Sequence, residues 1–251
     1  MPKKEWFAEW FDSPYYHLLY QNRNDEEAKV FIEKLCAHLQ LASQTAVLDL
    51  ACGKGRHSIT LAKLGFHVTG ADLAPNSIQL AKEAQATLAL NNLQFLVHDM
   101  REAIPNKRFG AVFNLFTSFG YFDDLADNQR VCQSISDMLD SEGILVIDFL
   151  NAQKVISNLV ATETVLRGDI RFEIKRWATD GHIYKEISIH DPSQAALIGP
   201  YTERVQALRV QDFQALLAPN FELLETFGSY SLAAFDSVTS ERLILIAKKK
   251  P

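Results

Sequence analysis

Three carboxylates sit at or near the ends of short apolar runs, where a folded chain presents chemistry to a ligand. They are Asp49, Asp72 and Asp99. Between the first two lies Ala51-Cys52-Gly53-Lys54-Gly55-Arg56-His57. Gly53 and Gly55 let the backbone turn sharply and let a ligand approach main-chain atoms closely. A helix starting at such a turn aims its partly positive end at the loop. Asp72 stands 19 residues beyond Gly53, at the end of the next apolar run, His67 to Asp72. An acid there can accept hydrogen bonds from both hydroxyls of a ribose. This spacing points to a nucleoside-containing ligand.

The residue types narrow which one. A dinucleotide site calls for G-x-G-x-x-G, with its last glycine inside the helix. Here Ala51-x-Gly53-x-Gly55 runs on into Arg56 and His57 without a third glycine. Asp49 would repel a pyrophosphate but suits a ligand carrying an ammonium and a sulfonium, as S-adenosylmethionine does. On Leu48 to Gly55, Gly70-Ala71-Asp72-Leu73 and His98-Asp99-Met100-Arg101, the chain resembles the class I S-adenosylmethionine-dependent methyltransferases. The resemblance is strong over residues 41 to 151 and weak in the last third. Ala51 replaces the family's usual first loop glycine.

That resemblance implies a cofactor set and a fold. Asp49, Ala51, Gly53 and Gly55 form the loop, and Asp72 with Leu73 takes the ribose. Asp99 meets the adenine amino group while Met100 packs on the ring, and Asn114, at the end of the fourth strand, joins the cofactor set. It also implies a Rossmann-like, doubly wound seven-stranded α/β sheet whose last strand is antiparallel. S-adenosylmethionine is the expected cofactor and S-adenosylhomocysteine its product.

The elements that must position these groups follow from periodicity. Ala46 to Leu50, Leu93 to His98, Phe109 to Asn114 and Ile144 to Phe149 read as buried strands. Asp25 to Leu39 places Ala28, Phe31, Ile32, Leu35 and Leu39 on one helical face. Pro75 opens a helix, and Asn128 to Leu139 forms another. Between residues 161 and 208 the pattern changes to alternation. Phe172 and Ile174, then Ile187 and Ile189, flank an Asp180-Gly181 hairpin signal, and Tyr201 to Leu208 reads as a third strand. The expected organisation is an N-terminal segment over 1–40, a core over 41–160 and 209–251, and an inserted antiparallel sheet over 161–208. The insert covers a substrate pocket or pairs two subunits as a homodimer.

The N-terminal segment carries Trp6, Phe7, Trp10, Phe11, Tyr15, Tyr16 and Tyr20, broken by Asp12-Ser13-Pro14. It is either pinned to the domain by these rings or a lid whose aromatic faces favour a sulfonium. Tyr20 and Arg23 are cofactor candidates, Arg23 through the methionyl carboxylate, and Tyr16 is a substrate candidate. After the fourth strand, Phe119 and Tyr121 are the expected substrate contacts, whereas Phe116 reads as core. His57, His98 and Tyr121 are possible bases, but none stands out and no catalytic residue is assigned. Asp148 is either an active-site carboxylate or a turn cap.

Composition bounds the class. A charge of −6 argues against a nucleic-acid partner, which would favour a basic face. The basic run Lys248 to Lys250 reads as a solvated terminus. Cys36, Cys52 and Cys132 show neither metal nor disulfide spacing, so no metal is expected and a reducing cytoplasm fits. No apolar run reaches membrane-spanning length. The expected function is methyl transfer to nitrogen or oxygen of a small molecule. An NAD(P)-dependent oxidoreductase and a non-catalytic S-adenosylmethionine-binding protein are the alternatives. A nucleic-acid amino-methyltransferase would resemble Asp/Asn-Pro-Pro-aromatic where this chain has Asn114-Leu115-Phe116-Thr117.

Overall fold

A computed structural model describes residues 5–21, 25–194 and 196–251. Two short helices, α1 (Trp6–Trp10) and α2 (Pro14–Leu19), precede the long helix α3 (Asp25–Leu39). Then come β1 (Ala46–Leu50), α4 (Arg56–Lys63), β2 (His67–Asp72), α5 (Pro75–Leu88), β3 (Leu93–Val97) and β4 (Phe109–Asn114). Helix α6 (Leu125–Met138) leads to β5 (Leu139–Leu150) and α7 (Ala152–Ser157). Four strands follow, β6 (Thr162–Arg167), β7 (Ile170–Thr179), β8 (His182–His190) and β9 (Ile198–Gln206). The described chain closes with α8 (Val210–Leu217), β10 (Phe221–Phe227) and β11 (Arg242–Lys249).

The main sheet has the order β10-β11-β5-β4-β1-β2-β3. Strand β11 lies between β10 and β5 and is antiparallel to both. The order reverses between β1 and β4, which pair in parallel, and ligands bind beyond strand ends at such a switch point. Both faces are covered, which is why the strands read as unbroken apolar runs. Along β1, Val47 faces a layer with Phe31, Leu35 and Leu61, while Leu48 faces one with Val131, Ile135 and Phe213. Burying each such side chain contributes about 1.5–3 kcal/mol.

The inserted sheet, β6-β7-β8-β9, is antiparallel throughout. Asp180 (φ 49°) and Gly181 (φ 72°) make its central hairpin, meeting the left-handed demand of a two-residue turn. It has four strands where alternation predicts three. Strand β6 escapes the pattern because its side chains are exposed or half-buried, so no buried face marks it. The inner face (Phe172, Ile174, Ile187, Ile189) packs on Trp10 and Leu19, so the N-terminal helices and the insert share one core.

Further boundaries differ from the periodicity, among them that of β9, which spans Ile198–Gln206 where Tyr201 to Leu208 is expected. Helix α6 starts at Leu125, three residues before the expected Asn128, because the Asp124 carboxylate caps it by accepting the Ala126 N–H at 2.9 Å. Strand β5 begins at Leu139, and its pairing with β4 shifts register between Phe109 and Ala111.

Candidate functional site

The β1–α4 turn is built from alternate left-handed residues: Ala51 (φ 61°), Gly53 (φ 55°) and Gly55 (φ 78°). A Cβ on Gly53 would meet nothing within 4 Å, so its backbone faces open space. A Cβ on Gly55 would lie 2.3 Å from the Phe95 ring. Gly55 therefore serves close packing beneath the loop, while Gly53 serves the cavity above it. Asp72 ties this turn to the next: its Oδ2 accepts the Gly53 N–H at 2.7 Å and its Oδ1 the Ala74 N–H at 2.9 Å. Burial raises the Asp72 carboxyl above its usual range, and these two N–H groups partly offset it.

These residues wall a cavity of about 660 Å³. On the cofactor side it is lined by Ala51, Gly53, Asp72, Leu73, Asp99 and Met100. Asp99 accepts from the Arg101 Nε at 3.0 Å and Nη2 at 2.6 Å. Burial would raise this carboxyl, but the Arg101 hydrogen bonds and charge outweigh it and hold Asp99 below the usual carboxylate range. Arg101 also grips Glu5, with Nη1–Oε1 at 2.7 Å and Nη2–Oε2 at 2.9 Å, which ties the N-terminal segment to this loop.

Helices α1 and α2 bring Phe7, Phe11, Tyr16 and Tyr20 to the cavity. Polar clips hold them. Asp12 Oδ1 accepts the Asn76 N–H at 2.8 Å, capping α5 where its own N-cap, Ala74, has no side-chain acceptor. His17 Nε2 meets the Ser77 hydroxyl at 3.3 Å. Trp10 Nε1 and the Tyr20 hydroxyl donate to Glu203 of β9 at 2.7 and 2.8 Å. The rings are thus pinned to the domain, and Phe7, Phe11, Tyr16 and Tyr20 line the cavity.

The β4 loop forms another wall. Phe116 and Thr117 are both left-handed (φ 62° each), a conformation costing on the order of 1–3 kcal/mol per residue away from glycine. Asp148 offsets that cost from below. Its Oδ2 accepts the Phe116 N–H at 2.9 Å and its main-chain carbonyl accepts the Thr117 N–H at 2.8 Å. Arg242 Nε donates to Asp148 Oδ1 at 2.8 Å, Arg242 Nη2 reaches Thr117 Oγ1 at 3.0 Å, and Tyr230 donates to Asp148 Oδ2 at 3.2 Å. Asp148 is thus an inward support with 0% exposure, not a group at the cavity. The Tyr121 hydroxyl donates to the Thr117 carbonyl.

The structure brings most of the expected residues together. Ala51, Gly53, Asp72, Leu73, Asp99, Met100, Tyr16, Tyr20 and Tyr121 line one cavity. Arg23 lies outside the described residues. Asp49, Gly55, Asn114 and Phe119 are not among the residues that line the cavity. Asp49 is 1% exposed and accepts the Ser58 hydroxyl at 2.5 Å. Burial pushes its carboxyl up to about 6, against the lowering effect of Ser58. Asn114, also buried, donates to the Leu50 carbonyl at 3.1 Å and braces β1 against β4. Phe119 packs on Phe213 (ring centroids 5.6 Å apart), while Phe116 takes the cavity position, with the Arg56 guanidinium 4.5 Å from its ring centre. The left-handed pair 116–117 decides this exchange, and no periodicity in the sequence marks it.

Glu203 is the functional candidate that sequence reasoning missed. It belongs to an alternating strand of mixed polarity, and only its distance from the cavity, not its spacing, distinguishes it. His57 and His98 both line the cavity. His98 Nε2 is 2.7 Å from the Glu102 carbonyl, which can only accept, so that nitrogen carries the proton. The Cys52 thiol is pushed well above its usual range by burial, so it stays protonated as a packing group. Among the described residues no cluster of three or more His, Cys, Asp or Glu could hold a metal ion. No helix among them is long and apolar enough to cross a membrane.

A family model described as a methyltransferase domain matches residues 41–196. The chain is 35% identical over 116 residues to a putative methyltransferase, YqeM, of Bacillus subtilis, covering 46% of each. It is 30% identical over 136 residues to glycine/sarcosine N-methyltransferase of Aphanothece halophytica, covering 53% of this chain and 49% of that one. The chain spans about half the length of the curated relatives it matches. In fold it is similar to an S-adenosylmethionine-dependent methyltransferase from Clostridium acetobutylicum, with a TM-score of 0.80 and 18% identity. That likeness covers 94% of this chain and 96% of the other, so it takes in the inserted sheet as well as the core.

Proposed function

The chain belongs to the methyltransferase-domain family, and we propose that it transfers the methyl group of S-adenosylmethionine to a nitrogen or oxygen of a small molecule. One observation carries this reading. A single cavity joins the carboxylate-bearing strand ends of the core to an aromatic wall supplied by α1, α2 and the β4 loop. Family membership sets aside the dinucleotide oxidoreductase. So does Ser58, which stands where that fingerprint needs its third glycine and instead donates to Asp49.

The cavity residues fit the cofactor. The open face of Gly53 admits close approach, and Asp72, fixed by two backbone N–H groups, is oriented for the ribose hydroxyls. Asp99 and Met100 would flank the adenine, and Leu73 would add apolar contact. The chemistry the cofactor supplies is a methyl group activated on a sulfonium, ready for in-line displacement.

The chain's own part is alignment and exclusion of water. The aromatic wall of Phe11, Tyr16, Tyr20 and Tyr121 favours positive charge through the faces of its rings. The Asp148–Arg242 support holds Phe116 and Thr117 in place, and through the Thr117 carbonyl it orients Tyr121. Nitrogen is favoured as the acceptor by the relative that methylates glycine and sarcosine.

Calorimetry with S-adenosylmethionine, S-adenosylhomocysteine and NADH tests this. Both sulfur nucleosides should bind and NADH should not. A mass-spectrometric screen of amines and hydroxyls with S-adenosylmethionine should then find an acceptor that gains one methyl group. Binding of NADH alone would refute the reading.

A further inference from the structure

Glu203 belongs to β9 of the inserted sheet, not to the core that carries the Gly53–Asp72 turn. Its side chain is 20% exposed and lines the cavity. Oε1 accepts from Trp10 Nε1 at 2.7 Å and from the Tyr20 hydroxyl at 2.8 Å, and Oε2 is 2.9 Å from the same hydroxyl. An ionised carboxylate accepts at about four positions, so these donors leave capacity on Oε2. Lys185 Nζ stands 3.8 Å from Oε2, beyond hydrogen-bond distance, and donates instead to the Tyr20 oxygen at 2.5 Å.

The surroundings are aromatic. Tyr20, Tyr16, Phe11 and Tyr121 form a chain of ring contacts, with successive centroids 4.9, 5.0 and 5.1 Å apart. That chain runs from the Glu203 carboxylate to the β4 loop. A carboxylate among aromatic faces suits a cation and repels an anion. The molecule already shows this chemistry once: the Lys185 ammonium sits 4.5 Å from the Tyr20 ring centre and pairs with Glu203 Oε2 at 3.8 Å. Of the cavity acids, Asp72 and Asp99 belong to the strand-end turns of the core and Glu26 to the first turn of α3, whereas Glu203 stands on the inserted sheet.

We infer that Glu203 is the specificity residue of the acceptor end, and that it selects an aliphatic amine, held by a charge-assisted N–H···O bond and the aromatic wall. Carboxylate- and phosphate-bearing acceptors are disfavoured there. This rests on the methyl-transfer reading above and gives it a substrate class.

The test is calorimetry at saturating S-adenosylhomocysteine with two probes of nearly equal shape, cyclohexylamine and cyclohexanol. The wild type should bind the amine at least ~10-fold more tightly than the alcohol. Glu203→Gln keeps an oxygen for Trp10 and Tyr20 but removes the charge. It should erase that preference and leave S-adenosylhomocysteine affinity within about 2-fold. Tyr20→Phe removes a donor but keeps the charge, and should retain the preference. The inference is overturned if the wild type binds no amine or shows no preference. It is equally overturned if Glu203→Gln keeps the preference, or if Tyr20→Phe abolishes it. Failure of S-adenosylhomocysteine to bind the wild type is a separate result: it refutes the methyl-transfer reading, and the inference falls with it.

Discussion

The two ends of the cavity are assembled in different ways. At the cofactor end, the decisive contact joins Gly53 to Asp72 across 19 residues. Asp99 is bonded to Arg101 two residues away. At the acceptor end, Glu203 meets Trp10 across 193 residues and Tyr20 across 183. The first end is made by neighbouring strand ends and the turns that leave them. The second is made by packing the first helices of the chain onto a sheet inserted late in it. A local site leaves a local signature, and a site built from distant segments does not.

The comparison breaks most severely at the support beneath the acceptor wall. Arg242→Leu leaves Asp148 buried without its cation, and the protein should lose about 3–5 kcal/mol of stability. A urea midpoint equal to that of the wild type would show that the pair bears no weight. The equivalent buried carboxylate at the cofactor end, Asp49, is held by a hydroxyl instead. Its folded value of about 6 lies above the ordinary 3.8, so the native state keeps a proton that the unfolded chain has released. Stability from this group is therefore full below about pH 4 and is lost as pH rises to about 6. The stability difference between the wild type and Asp49→Asn should change across that window by on the order of 3 kcal/mol. A constant difference would mean that Asp49 titrates normally.

Asp72→Ala sharpens the comparison at the ligand. S-adenosylhomocysteine should bind at least ~10-fold more weakly, about 1.4 kcal/mol, and the loss of the acceptor for the Gly53 and Ala74 N–H groups should lower the unfolding midpoint as well. Unaltered calorimetric affinity would remove Asp72 from the site. The smallest effect belongs to the clips of the N-terminal helices. Tyr20→Phe deletes one hydroxyl tie to Glu203, worth about 1 kcal/mol. Amide exchange in α2 should quicken about 5-fold while that of β1 stays the same, and equal protection in both proteins would show that α2 is held by ring packing alone.

The same division governs what could be read in advance. The β1–α4 turn, the ribose acid and the central strands were legible because glycines, a carboxylate and apolar runs recur at fixed spacing. The hairpin at Asp180-Gly181 was legible because only a few residue types accept two left-handed positions in succession. Asp49 and Asn114 belong to the motif series but turn into the core, and nothing in their spacing tells inward from outward. Phe116 and Phe119 exchanged their expected places because Phe116-Thr117 adopts a left-handed backbone that its side chains disfavour.

The sequence by itself determined the sheet, the cofactor turn and the family. Each of these follows from hydrophobic period and backbone preference, which act between near neighbours. Tertiary structure alone decided that α1 and α2 bring aromatic rings to the cavity, that Asp148 and Arg242 brace a strained loop, and that Glu203 lines the same cavity. Those outcomes depend on which surfaces meet after collapse, where one carboxylate and one guanidinium must find each other or remain buried alone.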